Sequence, residues 1–547
     1  MITCDFDILT SAKCDVCVVG SGPVGRALAL DLNCRGLSVL VLESGLVNSD
    51  QRIQSLSDAF IKSPRAHHRM DHAISRSLGG TSRLWGGRCV FLDEIDFEKR
   101  EYVQNSGWPV DLNDVAPYLE RAAELLGSDG NFTIHDWTPS GDSNIDVAKL
   151  ERWVNETRLS WRFPEVDSGD GITCLLNATV VGIEAAPETR SIRGLHVERD
   201  GRKEIFRGAK FYVLAMGGIE SARLLLNVQT NHPRLFGGPT GPLGRYYMGH
   251  LSGSIASIRF FKPETVYRFA NIEGSRSFGR RRLRLSSASQ REHRLPNIAF
   301  WPENPSYTDA RHASGILSAI ALVLRFPGFG PKLVSEAILH AHDRRFSNVW
   351  PHLRNVVTDV QGTVAGAGEI LRQRFRYGRR LPRLFVTNRH GVYPLRFHAE
   401  QLPNLLNGIR LSSERDWLGV RRAVVEFDFS VEEMRKVIEA HKIFDRSLRD
   451  SQIGELIYHD VEGLSDPLEQ LQHLAPDGLH QIGLTRMAQT ATNGVIDKNC
   501  RIFEFQNLFI AGSSIFPTSG QASPTLPAVA LAVRLSEHIA KLGRTPA

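Results

Sequence analysis

Along residues 14 to 45 the chain changes its hydrophobic period in a fixed order: the apolar run CDVCVVG, a glycine turn, the helical pattern GRALALDLNCRG, then the apolar run VLVLES. Strand, turn, helix and strand in that order predict a βαβ unit and therefore a parallel sheet. KFYVLAMGGIESARLLL, residues 210 to 226, repeats the theme, its apolar run stopping at Gly217 and Gly218 before an amphipathic pattern. NLFIAGSSIFPTSG, residues 507 to 520, repeats it again and leads into a helical pattern that runs through His538. Three segments far apart in the chain are thus expected to build one α/β nucleotide-binding domain. Residues 250 to 470 differ in texture, with extended segments such as SGSIASIRFF and RRAVVEFDFSV around a helix-like stretch from about 311 to 378. That change predicts an inserted α+β lobe.

At 547 residues the chain is long enough for at least two lobes and an enclosed pocket. Its 66 basic and 60 acidic residues leave a net charge of +6, too small over such a surface to point to nucleic acid. Seven cysteines without a repeated spacing do not form the framework of a small secreted protein. Cys14 and Cys17 make a C-x-x-C, but inside an apolar strand, where burial is expected rather than redox work. The first residues lack a basic patch followed by an apolar core, so a cytoplasmic protein is expected. The longest apolar run, ASGILSAIALVL at 313 to 324, is short of the ~20 residues that cross a bilayer, and reads as a buried or surface-lying helix. Residues 343 to 383 hold nine Arg against three acidic side chains. A solvated helical face is the expected reading, and a patch for a membrane surface or acidic partner the competing one.

Gly20, Gly22 and Gly25 form G-x-G-x-x-G between the first strand and its helix, a position that gives the motif meaning. The spacing allows a tight turn, close approach of a pyrophosphate to the backbone, and close packing of helix on strand. Free amides at the helix start then face the phosphates. Glu43 ends the next strand, 18 residues past Gly25, where a carboxylate accepts hydrogen bonds from an adenosine ribose. A dinucleotide site follows, and the motif leaves FAD and NAD open.

The segment from Ser75 to Gly127, with SLGGTSRLWGG and GWPV, resembles the second signature of the glucose-methanol-choline (GMC) flavoenzymes, in the branch of pyranose oxidases and glucoside dehydrogenases. Further blocks at 212 to 226, GPLGRYYMGH (241 to 250), EQLPN (400 to 404) and from His480 onward fit the same family. The resemblance covers both ends of the chain and only poorly residues 265 to 390. It implies a Rossmann-like FAD domain from residues 1–249 and 475–547, and a substrate domain at 250–474 carrying the helical insertion at 311–378. It also implies that Gly79, Gly80, Thr81, Ser82 and Trp85 wrap the flavin and pyrophosphate, and that the backbone near Val180 meets the adenine. Ala215, Gly217, Gly512, Ser513, Pro524 and Thr525 complete the implied cofactor contacts. Pyranose oxidases bond their flavin covalently through a histidine where this chain has Leu84, so FAD is expected to be held noncovalently. Cys89 is expected to pack.

The C-terminal block beginning GLHQIGLTRM is similar to the most characteristic signature of the family, and places His480 where the catalytic histidine stands. An imidazole with a near-neutral pKa takes the alcohol proton while the carbinol hydride leaves for flavin N5. Across the substrate oxygen the family carries Asn or His, and this chain has Ser523. A serine hydroxyl still bonds a substrate oxygen, and Ser523 followed by Pro524 also reads as a helix N-cap. Arg486 reads as a structural salt-bridge donor or a pocket cation, and His250 as packing near the flavin or between lobes. His67, His68 and His72 lack ligands at convincing spacing, and no metal site is expected. The implied substrate is a small-molecule alcohol, a sugar or glycoside, oxidised to a ketone or aldehyde; oxygen and other acceptors stay open. A nonsugar alcohol, or the nonredox lyase chemistry known in the same family, are the competing readings, the latter strengthened by Ser523.

Overall fold

The computed structural model describes residues 1–139, 144–154, 171–325, 348–377, 385–386, 391–460, 464, 466–474 and 477–544. Its first body is built on the strand Cys14–Val19, whose residues Val16 to Val19 are all buried, as in a strand covered on both faces. Val39–Leu42 pairs with it in parallel on one side and Ala209–Leu214 on the other. The sheet continues through Ile172–Leu175 to Ile2–Thr3 at one edge and ends in Leu508–Ile510 at the other, every pairing parallel. The three βα segments legible in the sequence therefore form adjacent strands of one α/β sheet. Ile172–Leu175 and Ile2–Thr3 are short, and their patterns carry no helical partner that would have marked them.

Helix Pro23–Cys34 opens with a proline in its first turn, where a missing N–H costs nothing, and packs on the C-terminal helix Thr525–Arg544. The C-terminal helix buries Leu526, Val529, Ala530, Val533 and Leu535 in the same core. Its first hydrogen bond runs from the Ala528 amide to the Pro524 carbonyl at 3.0 Å, and Pro527 has no N–H to reach the Ser523 carbonyl, so Ser523 stands immediately before the first bonded turn.

A second, antiparallel six-stranded sheet runs in the order Gly454–Tyr458, His250–Phe260, Val392–Glu400, Ile298–Pro302, Leu283–Leu285, Ile145–Asp146. Helix Val431–Asp450 covers it, begun by a capping box in which Ser430 and Glu433 satisfy each other's amides. Its buried Val437, Ala440, Phe444 and Leu448 recur every three or four residues, and Phe444 stacks on Phe300 at 4.2 Å between ring centroids. Two segments cross the sequence boundaries. Ile145–Asp146 joins this second sheet, whereas Arg421–Glu426, which reads as part of the inserted lobe, pairs with Gly408–Arg415 and Phe60–Ile61 and sends Ala423 and Val425 into the first core. Strand pairing with Phe60–Ile61 decides its allegiance.

Of the helix-like stretch 311–378, the helices Gly315–Leu324, Trp350–Thr358 and Val360–Tyr377 are seen; residues 326–347 and 378–384 lie outside the described residues. Among the described residues no helix is long and apolar enough to cross a membrane. All seven cysteines are free. Burial pushes the Cys14 thiol up to about 12 and Cys17 well above its ordinary value, which leaves the C-x-x-C inert.

Candidate active site

A cleft opens at the carboxyl ends of Cys14–Val19, Ala209–Leu214 and Leu508–Ile510, where parallel sheets place their ligands. Of the residues singled out in the sequence it gathers Gly20, Gly22, Glu43, Gly80, Thr81, Val180, Ala215, Gly217, His480, Gly512, Ser513, Pro524 and Thr525 along its wall. Gly25, Gly79, Ser82, Trp85 and Ser523 are not part of that lining. Gly25 packs so tightly that a Cβ there would lie 2.1 Å from the Gly20 carbonyl oxygen. Ser82 donates its hydroxyl to the Gly79 carbonyl at 2.7 Å, and Trp85 packs half-buried against the first core.

Ser21, which the sequence reading passed over, ties the two glycine segments together. Its hydroxyl and amide both donate to Glu43 Oε2, at 2.5 and 2.9 Å, while the Gly79 amide donates to its Oγ at 3.1 Å. A serine inside G-x-G was the available signal. The cleft fits a dinucleotide by one further test. Gly22 has an ordinary φ of −62°, and a Cβ added to it would meet no protein atom within 4 Å. Its bare backbone thus faces open cleft beside the start of helix Pro23–Cys34, the geometry a pyrophosphate needs.

His480 is placed by backbone pairing. Met248 and Ile482 bridge in antiparallel register, exchanging amide bonds of 2.9 and 3.1 Å, and that register sets residue 250 opposite residue 480. The side chain of Gln481 fixes the same loop to the start of helix Gly218–Asn231 by accepting the Ile219 amide at 3.0 Å. The His250 and His480 rings meet Nδ1 to Nδ1 at 2.8 Å. His398, from the neighbouring strand, stacks on His250 with centroids 4.0 Å apart and donates its Nδ1–H to the Gln521 carbonyl at 2.8 Å. Asp477 completes the group, its Oδ2 accepting the His250 amide at 2.5 Å and lying 3.8 Å from Nδ1 of His480.

Burial lowers the pKa of His480, with Asp477 pulling it upward and Arg88 pushing it further down. His250 and His398 are held well below the ordinary histidine range, first by burial and then by their histidine neighbours and Arg282. The three rings offer nitrogens within 4.8 Å of one another. A cation is nevertheless disfavoured there, because Arg88 and Arg282 already face the cluster and the His250–His480 contact has the length of a hydrogen bond with a proton in it. Neutral imidazoles prepared to move a proton are what this arrangement supplies. His398 and Asp477 were missed in the sequence. A histidine inside the otherwise apolar alternation YPLRFHAE was the one legible hint.

Other expectations resolve structurally. Arg486 donates to the Asn105 carbonyl at 2.6 Å and lies over the Tyr246 ring at 4.5 Å, so it anchors a carbonyl and an aromatic face and not a carboxylate. Trp108 of GWPV donates its indole N–H to Thr518 Oγ1 at 2.8 Å and packs between Phe97 and Phe516, fastening that segment to the C-terminal block. His67 bonds Tyr247 at 2.9 Å and packs on Phe427, a core role. Ser523 is half-buried just ahead of the C-terminal helix.

Several known proteins are similar to this chain. The family described as GMC oxidoreductase matches residues 403–532. A C-glycoside 3-oxidase of Arthrobacter globiformis is 36% identical over 97% of this chain and 95% of its own length. A paromamine 6'-oxidase of Streptomyces fradiae is 26% identical over 96% of this chain and 91% of its own. Among solved structures, an Aspergillus oryzae formate oxidase, studied for an effect on its FAD modification, superimposes with a TM-score of 0.53 at 13% identity, covering 98% of this chain and 99% of that one. That likeness carries the fold.

Proposed function

The chain belongs to the GMC oxidoreductase family, whose members bind FAD, and from that premise we propose that it oxidises a CH–OH group of a sugar or glycoside, with FAD held noncovalently and His480 as the base. The observation that carries the reading is His480 itself, on the cleft wall with its Nδ1 engaged by His250 and its Nε2 left for substrate. The glycoside preference is supported by the names of the relatives, a C-glycoside 3-oxidase and a paromamine oxidase.

In this reading Nε2 of His480 takes the hydroxyl proton as the C–H bond breaks and the carbonyl forms, and the hydride leaves with its electron pair. FAD, when bound, supplies the two-electron acceptor for that hydride. Asp477, close to Nδ1, offsets part of the positive charge that His480 gains. Gly20, Gly22, Glu43 and Val180 hold the adenosine and pyrophosphate portion, and Gly80 and Thr81 follow. The opening turn of helix Thr525–Arg544, with Pro524 and Thr525 on the cleft wall, offers the amides of Thr525 and Leu526 to developing negative charge, Pro524 and Pro527 having none. Ser523 offers its hydroxyl to the substrate oxygen from the position before that turn.

Noncovalent attachment is supported by two side chains. Leu84 has no nucleophilic atom, and the Cys89 thiol is buried and pushed up to about 12 by desolvation. Anaerobic mixing of the purified holoenzyme with glycosides and simple alcohols, followed by acid precipitation, tests both parts. Bleaching of the flavin by glycosides and release of all colour to the supernatant are expected. A flavin that no alcohol bleaches would remove the oxidase reading, and colour retained in the pellet would remove the noncovalent one.

A further inference from the structure

The helices Gly315–Leu324, Trp350–Thr358 and Val360–Tyr377 contribute no residue to the cleft; the first buries Ile316, Leu317, Ala321 and Leu324, whereas the other two turn apolar residues outward. Polar side chains point inward. His352 and Asn355 are buried and both bond to Ser318 at 3.1 Å, where the first helix packs on the second. Outward, Trp350, Leu353 and Val357 recur at intervals of three and four, and Val360, Val364 and Leu371 at four and seven, so each helix gathers its apolar residues on one solvent-facing side. Trp350 is 74% exposed, Val357 73% and Val364 67%. Single exposed apolar residues are ordinary, whereas an aligned set marks a binding surface.

Charge identifies the occupant. Between residues 310 and 390 the sequence holds thirteen Lys and Arg against four Asp and Glu, a local +9; the whole chain is +6, which leaves the remainder at −3. The positive charge is concentrated in the same stretch of sequence as the exposed apolar stripe, and Arg354 and Arg372 lie exposed beside that stripe. A second copy docked through this stripe would set two such stretches of like charge beside each other. An anionic bilayer meets both features, because acyl chains accept Val and Leu, the interface accepts Trp, and headgroups pair with Arg.

We propose that this helical excursion docks the protein on the surface of an anionic lipid bilayer, with Trp350, Val357 and Val364 entering the acyl boundary and the flanking arginines at the headgroups. The inference is independent of the substrate reading. Sedimentation of the holoenzyme with vesicles of phosphatidylglycerol in phosphatidylcholine, or of phosphatidylcholine alone, tests it at low and high salt. Binding to the anionic vesicles is expected, weaker at high salt and on phosphatidylcholine. The pair Val357→Glu with Val364→Glu is expected to reduce it at least about tenfold, with thermal midpoint and flavin content unchanged. Trp350→Phe is expected to remove a blue shift of fluorescence seen on binding. Absence of binding at low salt, or equal binding by the double variant, would overturn the proposal. So would a dimer that dissociates in the double variant and takes up no vesicles, since a second copy would then be the occupant.

Discussion

His250 and His480 stand in register across the Met248–Ile482 bridge and share one hydrogen bond between their Nδ1 atoms, 2.8 Å apart. One ring must donate and the other accept. For His480 to accept a proton at Nε2, its own Nδ1 must carry the hydrogen, and His250 must be the acceptor. The hydrogen of His250 then sits on Nε2, which is buried without a well-formed bond, the Gly520 carbonyl being the backbone group that favours its protonation. In the reading proposed above, His250 is therefore a positioning residue that fixes the tautomer of His480.

A double-mutant cycle reads this coupling. His480→Ala should slow anaerobic flavin reduction by ~10²–10⁴. His250→Ala should lower the rate by a smaller factor with little change in KM, and His250→Ala with His480→Ala together should be no slower than His480→Ala alone. Rates that simply multiply would show that His250 acts elsewhere.

The burial that lowers the pKa of His480 also sets a pH dependence. The base works only when neutral, so flavin reduction should stay flat down to pH 6.5, the ordinary histidine value, and fall only below it. Stability follows the same sign. His250, His398, His480 and His441, the last lowered to about 4, all bind protons more weakly folded than unfolded, so the unfolded chain gains protons first on acidification. The thermal midpoint should drop as pH falls from 6.5 toward 4. An acid limb of the rate above 6.5 would contradict the role of burial.

The parallel sheet was legible because its central strands announce themselves by continuous apolar runs before glycine turns, as at Val19–Gly20 and Leu214–Gly217. The glycine segments that line the cleft were legible for the same reason, since glycine spacing is a local signal. The histidine cluster was not. His250, His398 and His480 come from three distant segments and are joined by strand register, which depends on pairing partners that no local window contains. Arg421–Glu426 was misassigned to the inserted lobe on similar grounds, because alternation predicts a strand and leaves its neighbours open.

Arg100 and Glu400 join the N-terminal body to the second sheet through a bidentate pair of 2.7 and 2.5 Å, both side chains wholly buried, and Glu400 also accepts the Asn297 amide. Arg100→Met strands a buried carboxylate and should cost ~3–5 kcal/mol in denaturant unfolding. Arg193→Ala, which breaks the exposed pair with Glu188, should cost under ~0.5 kcal/mol. Similar losses for the two variants would mean that the Arg100 pair is solvated in solution.

Gly22 and Gly25 lie three residues apart in one motif yet answer to different masters, and alanine separates them. At Gly25 a Cβ would sit 2.1 Å from the Gly20 carbonyl oxygen and 3.3 Å from the Ala215 side chain, so the helix must move off the sheet or the turn must open. Gly25→Ala should therefore lower the thermal midpoint of protein prepared without flavin, with a cost of ~1–3 kcal/mol, as for overpacking elsewhere. At Gly22 the backbone is already in a conformation any residue adopts, and the added methyl meets no protein atom, only the cleft. Gly22→Ala should leave the flavin-free midpoint unchanged within about 0.5 kcal/mol and still weaken FAD binding, measured by titration against the apoprotein, because the methyl occupies the approach of the pyrophosphate. If Gly22→Ala bound FAD as tightly as the parent chain, the pyrophosphate would have to lie elsewhere in the cleft, and the open space over Gly22 would have lost its explanation.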